Sequence, residues 1–160
     1  MRFEGRAVLV PGDNVDTDVL YPGPYLNIGD PEEMKPFLFE GLDPSLRDQL
    51  GGDTALVVGV NFGAGSSREH VPQAMAASGI RFLVGKSFAR IFYRNCINLG
   101  LLAVQSAEAA ALAREGSWIR VDPAEGEIDV DGSIVPATKL PPFLLEAVRL
   151  GGLVEWARAR

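Results

Sequence analysis

Cysteine and histidine are almost missing from this 160-residue sequence, with Cys96 and His70 the sole examples. One thiol excludes an internal disulfide. It also excludes a zinc site or an iron–sulfur cluster built by this chain, since both take several protein ligands, so the chain is expected to bind no metal itself. No apolar run approaches the roughly 20 residues a membrane-spanning helix needs, and Met1-Arg2-Phe3-Glu4-Gly5-Arg6 is too polar for a signal peptide. Basic charge is scarce too. Against 21 Asp and Glu stand 15 Lys and Arg, a net −6, which argues against a nucleic-acid surface but not against a small anionic substrate, because one arginine can dominate its own pocket. The expectation is a cytoplasmic protein that engages neither membrane nor nucleic acid.

What is present is ordinary globular material. Apolar residues make up 47% and charged residues 22%, and the length suits one domain spanning residues 1–160. Residues 6–10 read as a strand ended by Pro11-Gly12, followed by the turn-rich Asp13-Asn14-Val15-Asp16-Thr17-Asp18. Residues 21–29 form an ordered loop, after which Asp30 caps a helix with Pro31 at its first position. Residues 54–60, 80–84 and 101–104 read as buried strands. Helices between them, through about residue 78 and over 86–99, imply parallel pairing through crossovers. After a helix near 107–114, residues 118–121 and 128–130 alternate as an antiparallel hairpin around 122–126, with a short strand at 133–135. Pro141-Pro142 opens a last helix in which Phe143, Leu144, Ala147 and Val148 recur at helical spacing. The fold class is α/β, a parallel sheet core with an antiparallel β addition.

The stretch richest in chemistry is Gly63-Ala64-Gly65-Ser66-Ser67-Arg68-Glu69-His70. It falls where a parallel strand ends and a helix begins, the usual ligand edge of such sheets. Glycines let backbone N–H groups converge on an anion, and a helix start favours negative charge. Such a turn can hold a carboxylate or stabilise a serine oxygen as it becomes an alkoxide. A plainer reading competes: Ser66 with Glu69 three residues on also matches a capping box. A phosphate loop fits poorly, since no lysine follows the glycines.

Three segments together carry a resemblance. Val15-Asp16-Thr17-Asp18-Val19-Leu20, the stretch Gly63-Ala64-Gly65-Ser66-Ser67-Arg68-Glu69-His70-Val71-Pro72, and Lys86-Ser87-Phe88-Ala89-Arg90-Ile91-Phe92-Tyr93-Arg94-Asn95 resemble, in order and spacing, the signature segments of the aconitase superfamily's swivelling domain. The likeness is strongest to the separate small subunits of isopropylmalate-dehydratase-type enzymes and extends to Leu140-Pro141-Pro142-Phe143-Leu144-Leu145-Glu146.

The resemblance implies a three-layer β/β/α fold and the reversible loss and gain of water in hydroxy-acids. A [4Fe–4S] cluster on a partner large subunit would bind the substrate hydroxyl as a Lewis acid, in a heterodimer or heterotetramer; an isolated chain could also self-associate. By the same resemblance Ser66 is the base, and Gly63, Ala64 and Gly65 are the backbone turn that stabilises its oxygen. Ser67 and Arg68 bind substrate carboxylate, Arg68 as a bidentate fork, and Asp18 pairs with a histidine across the interface. A turn-stabilising role for Asp18 is the structural alternative. Phe88, Ile91 and Phe92 are expected to pack their helix, Arg90, Arg94 and Asn95 to brace the turn or the interface, and Cys96 to be a small buried residue.

Tyr25, Leu26, Asn27 and Ile28 occupy the loop where this family reads its substrate's side group. No basic residue lies between Asp18 and Lys35, so a third carboxylate would be buried without a partner. Leu26 and Ile28 suit an apolar branch instead, worth on the order of 2 kcal/mol when buried. This favours a dicarboxylate hydroxy-acid with a branched substituent. A homoaconitase or another substituted-malate hydro-lyase is the alternative within the class, and a non-catalytic assembly subunit the alternative outside it.

Overall fold

Four aliphatic runs become parallel strands lying side by side: β1 (Phe3–Leu9), β2 (Thr54–Val58), β3 (Ile80–Gly85) and β4 (Leu102–Gln105). This arrangement is seen in a computed structural model describing residues 2–65 and 68–159. Three antiparallel strands extend the sheet beyond β1. These are β5 (Trp118–Asp122), β6 (Glu127–Val130) and β7 (Ser133–Pro136), giving the order β4-β3-β2-β1-β5-β6-β7. The first strand starts earlier than local pattern indicates because residues 3–6 pair with residues 118–121 of β5, a partner that local periodicity cannot reveal.

Among the described residues seven α-helices accompany the strands. They are α1 (Thr17–Leu20), α2 (Pro31–Met34), α3 (His70–Ala77), α4 (Arg90–Asn98), α5 (Ala107–Leu112), α6 (Pro142–Arg149) and α7 (Leu153–Arg158). Asp30 caps α2 as expected, its side chain accepting from the Glu32 amide. Helix α4 begins at Arg90, not Lys86, because backbone bonds with Phe62 hold residues 87–89 extended. Helix α3 begins at His70, so Glu69 stands at its N-cap and not three residues inside it. Glu69 is therefore not at the third helical position a capping box requires, and Ser66, the other half of that reading, lies outside the described residues.

Alternation along the strands sends side chains to two faces, and both are buried. On one face Val8, Leu56, Val58, Leu83 and Ala103 meet Leu20, Met34, Val71, Met75 and Phe92 from the helices. On the other, Ala7, Ala55, Val57, Phe82, Val84, Leu102 and Val104 meet Ile119, Val121, Ile128 and Val130 of the antiparallel strands. The sheet thus curls so that its antiparallel half covers one face of its parallel half, which yields the β/β/α layering. A register shift at Thr54/Ala55 against β3 lets Ile80 and Leu83, an odd number of residues apart, share the helix-side core. The curl is drawn together at its ends. Ser106 caps α5 and donates its hydroxyl to the Pro136 carbonyl at 2.7 Å, and the Thr138 amide donates to Gln105 at 3.0 Å.

Leu56 is fully buried in the helix-side core. Leu56→Ala should cost about 3 kcal/mol in urea denaturation, whereas Ile134→Ala, at 67% exposure, should stay within about 0.5 kcal/mol.

Candidate active site

Three loops leave the C-terminal ends of β1, β2 and β3 and continue the sheet without strand side chains. The Asn14 amide donates to Val60 O (2.7 Å), Gly63 to Val15 O (2.9 Å) and Thr17 to Ala64 O (2.8 Å). On the other side Phe62 donates to Ser87 O (3.2 Å) and Ala89 to Phe62 O (3.0 Å). Side chains reinforce these bonds. Asp13 accepts from the Val60 amide (2.9 Å), Ser87 from the Asn61 amide (2.8 Å), and Asn61 donates to Asn14 Oδ1 (3.0 Å). Asn14 and Asn61 are both left-handed, at φ 54°, a conformation asparagine tolerates better than most residues.

The glycines of the turn have specific work. Gly63, at φ +87°, presses on the Phe92 ring, which a Cβ would overlap. At Gly65, φ +107°, a Cβ would lie 2.8 Å and 2.9 Å from the two Asp16 carboxylate oxygens and 3.0 Å from Thr17 Oγ1. Asp16 is thereby held against the turn while its Oδ1 accepts from the Asp18 amide at 2.7 Å, capping α1. The turn-stabilising role weighed for Asp18 belongs to Asp16.

Facing this turn is a cleft of about 240 Å³ lined by Thr17, Asp18, Tyr21, Leu26, Arg68, His70 and Val71. One wall is the loop of residues 22–28. Tyr21 is buried and its hydroxyl, pushed up by that burial, stays protonated and donates to Tyr25 O at 2.8 Å. The Tyr21 ring stacks on His70 at 5.6 Å, and His70 Nε2 lies 2.9 Å from Leu26 O.

The residue 8–109 segment matches the family described as the aconitase C-terminal domain. A 3-isopropylmalate dehydratase small subunit from Caldanaerobacter subterraneus is 43% identical over 99% of both chains. One from Methanopyrus kandleri is 45% identical over 96% of this chain and 91% of its own. The crystal structure of a 3-isopropylmalate dehydratase from Methanocaldococcus jannaschii superposes with a TM-score of 0.91 at 35% identity, covering 100% of this chain and 95% of that one. The chain belongs to the aconitase C-terminal domain family, among the small subunits of 3-isopropylmalate dehydratase.

The three segments that carry the family's signature are the ones whose loops hydrogen-bond to one another. Asp18 and Leu26 share one cleft with Arg68, more than forty positions further along the chain. Ser66 and Ser67, between Gly65 and Arg68, lie outside the described residues. Tyr25 stacks on Phe37 at 4.0 Å, Ile28 packs against the helix-side core and Asn27 is exposed, so of this loop only Leu26 lines the cleft. Phe92 is buried as expected of a packing residue, whereas Ile91 is 46% exposed. Asn95 is buried, and Arg90 and Arg94 face solvent. His70 and Asp16 were not singled out as site residues. The signal for Asp16 was its place two residues before Asp18; nothing in the sequence foretells that His70 reaches Leu26.

The family implies an iron–sulfur cluster. The residues described here do not fit one: Cys96 is fully buried, its thiol held protonated by that burial, and no group of three His, Cys, Asp or Glu could hold a metal ion among the described residues.

Two predictions follow from this geometry. Gly65→Ala should destabilise the protein by about 1–3 kcal/mol and lower activity of the assembled enzyme. Gly12→Ala, also at positive φ but with nothing within 4 Å, should cost less in the same denaturation series. Burial raises the Cys96 thiol above its ordinary 9.0, so above about pH 9 the unfolded chain releases a proton that the folded chain keeps. Folding stability then falls as pH rises, by up to about 1.4 kcal/mol per pH unit from this group. Urea midpoints at pH 8, 9 and 10 should show this component in the unaltered chain and not in Cys96→Ala.

Proposed function

We propose that this chain is the catalytic-serine half of an enzyme interconverting 2-isopropylmalate and 3-isopropylmalate, in leucine biosynthesis, through an unsaturated dicarboxylate. The observation that carries the proposal is the meeting of Asp18, Arg68 and Leu26 around one cleft beside the Gly63–Gly65 turn. In the dehydration direction Ser66, as alkoxide, takes a proton from carbon. The released electron pair forms the double bond as the hydroxyl on the neighbouring carbon departs. Readdition of water with the opposite orientation, the serine returning its proton, completes the exchange.

A serine hydroxyl is far too weakly acidic to be a base unaided. Arg68 and the turn's backbone are suited to stabilise its oxyanion, and helix α3 starts without a side-chain cap from Glu69, which favours negative charge there. Ser67 and Arg68 hold a substrate carboxylate, and Asp18 pairs with a histidine of the partner, a role its exposure at the start of α1 supports. Because the donor set of this chain does not fit a [4Fe–4S] cluster, the cluster belongs to the large subunit, without which the chain is inactive. The enzyme is cytoplasmic on this reading, where a lone cysteine stays reduced.

The side-group preference rests on Leu26 and Val71 in the cleft and on the want of a nearby cation in the loop. The first basic residue after Asp18, Lys35, pairs with Glu32 at 3.2 Å. With a cluster-loaded large subunit, Ser66→Ala should lower kcat at least ~10²-fold while assembly is unaffected. Near wild-type turnover would instead revive the non-catalytic assembly subunit. Parallel assays with 2-isopropylmalate and homocitrate test the substrate, and turnover of homocitrate alone would overturn the apolar reading.

A further inference from the structure

Two consecutive carbonyls of the loop that walls the cleft are held from one stacked aromatic pair. The Tyr21 hydroxyl donates to Tyr25 O at 2.8 Å, and His70 Nε2 meets Leu26 O at 2.9 Å, with the two rings 5.6 Å apart and 27° from parallel. A carbonyl only accepts, so Nε2 carries the hydrogen and Nδ1 is the ring's free lone pair in the neutral imidazole. That Nδ1 is buried and has no hydrogen-bond partner among the described residues.

Buried acceptors without partners are uncommon and need a reason. A phenylalanine would fill the same space, keep the stack and leave no orphan, so packing alone does not account for histidine here. Among the described residues, what the imidazole adds is the bond to Leu26. That bond joins the first residue of α3, four positions after Ser66, to the one loop residue that lines the cleft. The loop's other restraints are short turns, Tyr25 N to Pro22 O, Leu26 N to Gly23 O and Ile28 N to Tyr25 O, each 3.1 Å, and the stacking of Tyr25 on Phe37, none of which ties Leu26 to α3.

We infer that His70 is a positioning residue for substrate selectivity. By holding Leu26 O it fixes the apolar wall at one distance from the catalytic turn, so that a branched side group is gripped and a smaller one is not. The inference rests on the proposed role of this loop in reading the substrate's side group.

The comparison is between His70→Phe, which keeps the stack and removes the donor, and His70→Gln, whose amide nitrogen can reproduce the Nε2 donor. In the enzyme assembled with its large subunit, His70→Phe should raise KM for 2-isopropylmalate ~10-fold with kcat within ~2-fold. Its advantage over a methyl-substituted malate should shrink at least ~3-fold, and His70→Gln should restore most of both. In the isolated chain, hydrogen exchange at the Leu26 and Ile28 amides should quicken ~10-fold in His70→Phe and recover in His70→Gln, with the thermal midpoint of the Phe variant nearly unchanged. His70→Asn, whose amide is too short to reach Leu26 O, replaces the Phe variant should that fail to fold. Unchanged exchange, an equal fall in kcat on both substrates, or a Gln variant as impaired as the Phe variant would each overturn the inference. Absence of any branched preference in the unaltered enzyme would sink the substrate reading alone, and the exchange result would still decide whether His70 holds the loop.

Discussion

Residues 62–64 run between two other loops and exchange backbone hydrogen bonds with both, with residues 15–17 on one side and 87–89 on the other. Loops at the ends of parallel strands ordinarily diverge, each satisfying its amides with water or local turns. Here their amides are satisfied by one another, so three segments of chain behave as a last, narrow extension of the sheet. Each such bond contributes only about 1 kcal/mol net, but together they fix where the backbone must turn. Gly63 is forced against Phe92 and Gly65 against Asp16. The position of Asp16 in turn starts α1, and α1 carries Asp18 to the cleft. The functional side chains are thus located by backbone geometry settled before any of them is reached.

The platform beneath these loops is rigid for a different reason. The strands β1–β4 are buried on both faces, by helices on one side and by the curled antiparallel strands on the other. Displacing either layer would expose one apolar face of the same strands, since the two cores alternate residue by residue along them. Movement is therefore cheapest in the loop of residues 22–28, which is tied to the rest by few bonds and half-exposed side chains. A fixed turn at residues 63–65 and a separately tethered loop wall follow from that distribution.

Most of this was legible in residue order, and the exceptions share a cause. Aliphatic runs gave β2, β3 and β4, and the resemblance of three segments anticipated their convergence. Periodicity missed the first residues of β1 because their partner lies more than a hundred positions away in β5. It overextended α4 because residues 86–89, which are compatible with a helix, are held extended by Phe62. The same blindness to long-range bonds hid His70, whose side chain meets, among the described residues, a carbonyl 44 residues distant; the turn-stabilising role weighed as the alternative for Asp18 is performed by Asp16. Motif reading singled out residues that line the cleft, Asp18, Leu26 and Arg68, but not those whose side chains brace them.

The open state of the cleft has a consequence for how the enzyme must be built. Asp18 and Arg68 are exposed on this chain, and in bulk water neither a guanidinium nor a backbone dipole lowers the energy of a serine alkoxide much, because solvent screens both. The same groups become effective only when water is displaced and the local dielectric falls. Nothing in this chain covers the cleft among the described residues: the helix-side loops form its floor and one wall. Under the proposed function the cover is a surface of the large subunit, whose arrival would complete the charge pairing of Asp18, exclude water and bring the Lewis acid in one step. With Ser66 as the proposed base, division of the reaction between two chains would follow from that requirement, since a serine made basic only on closure does no chemistry before its substrate and partner are both in place.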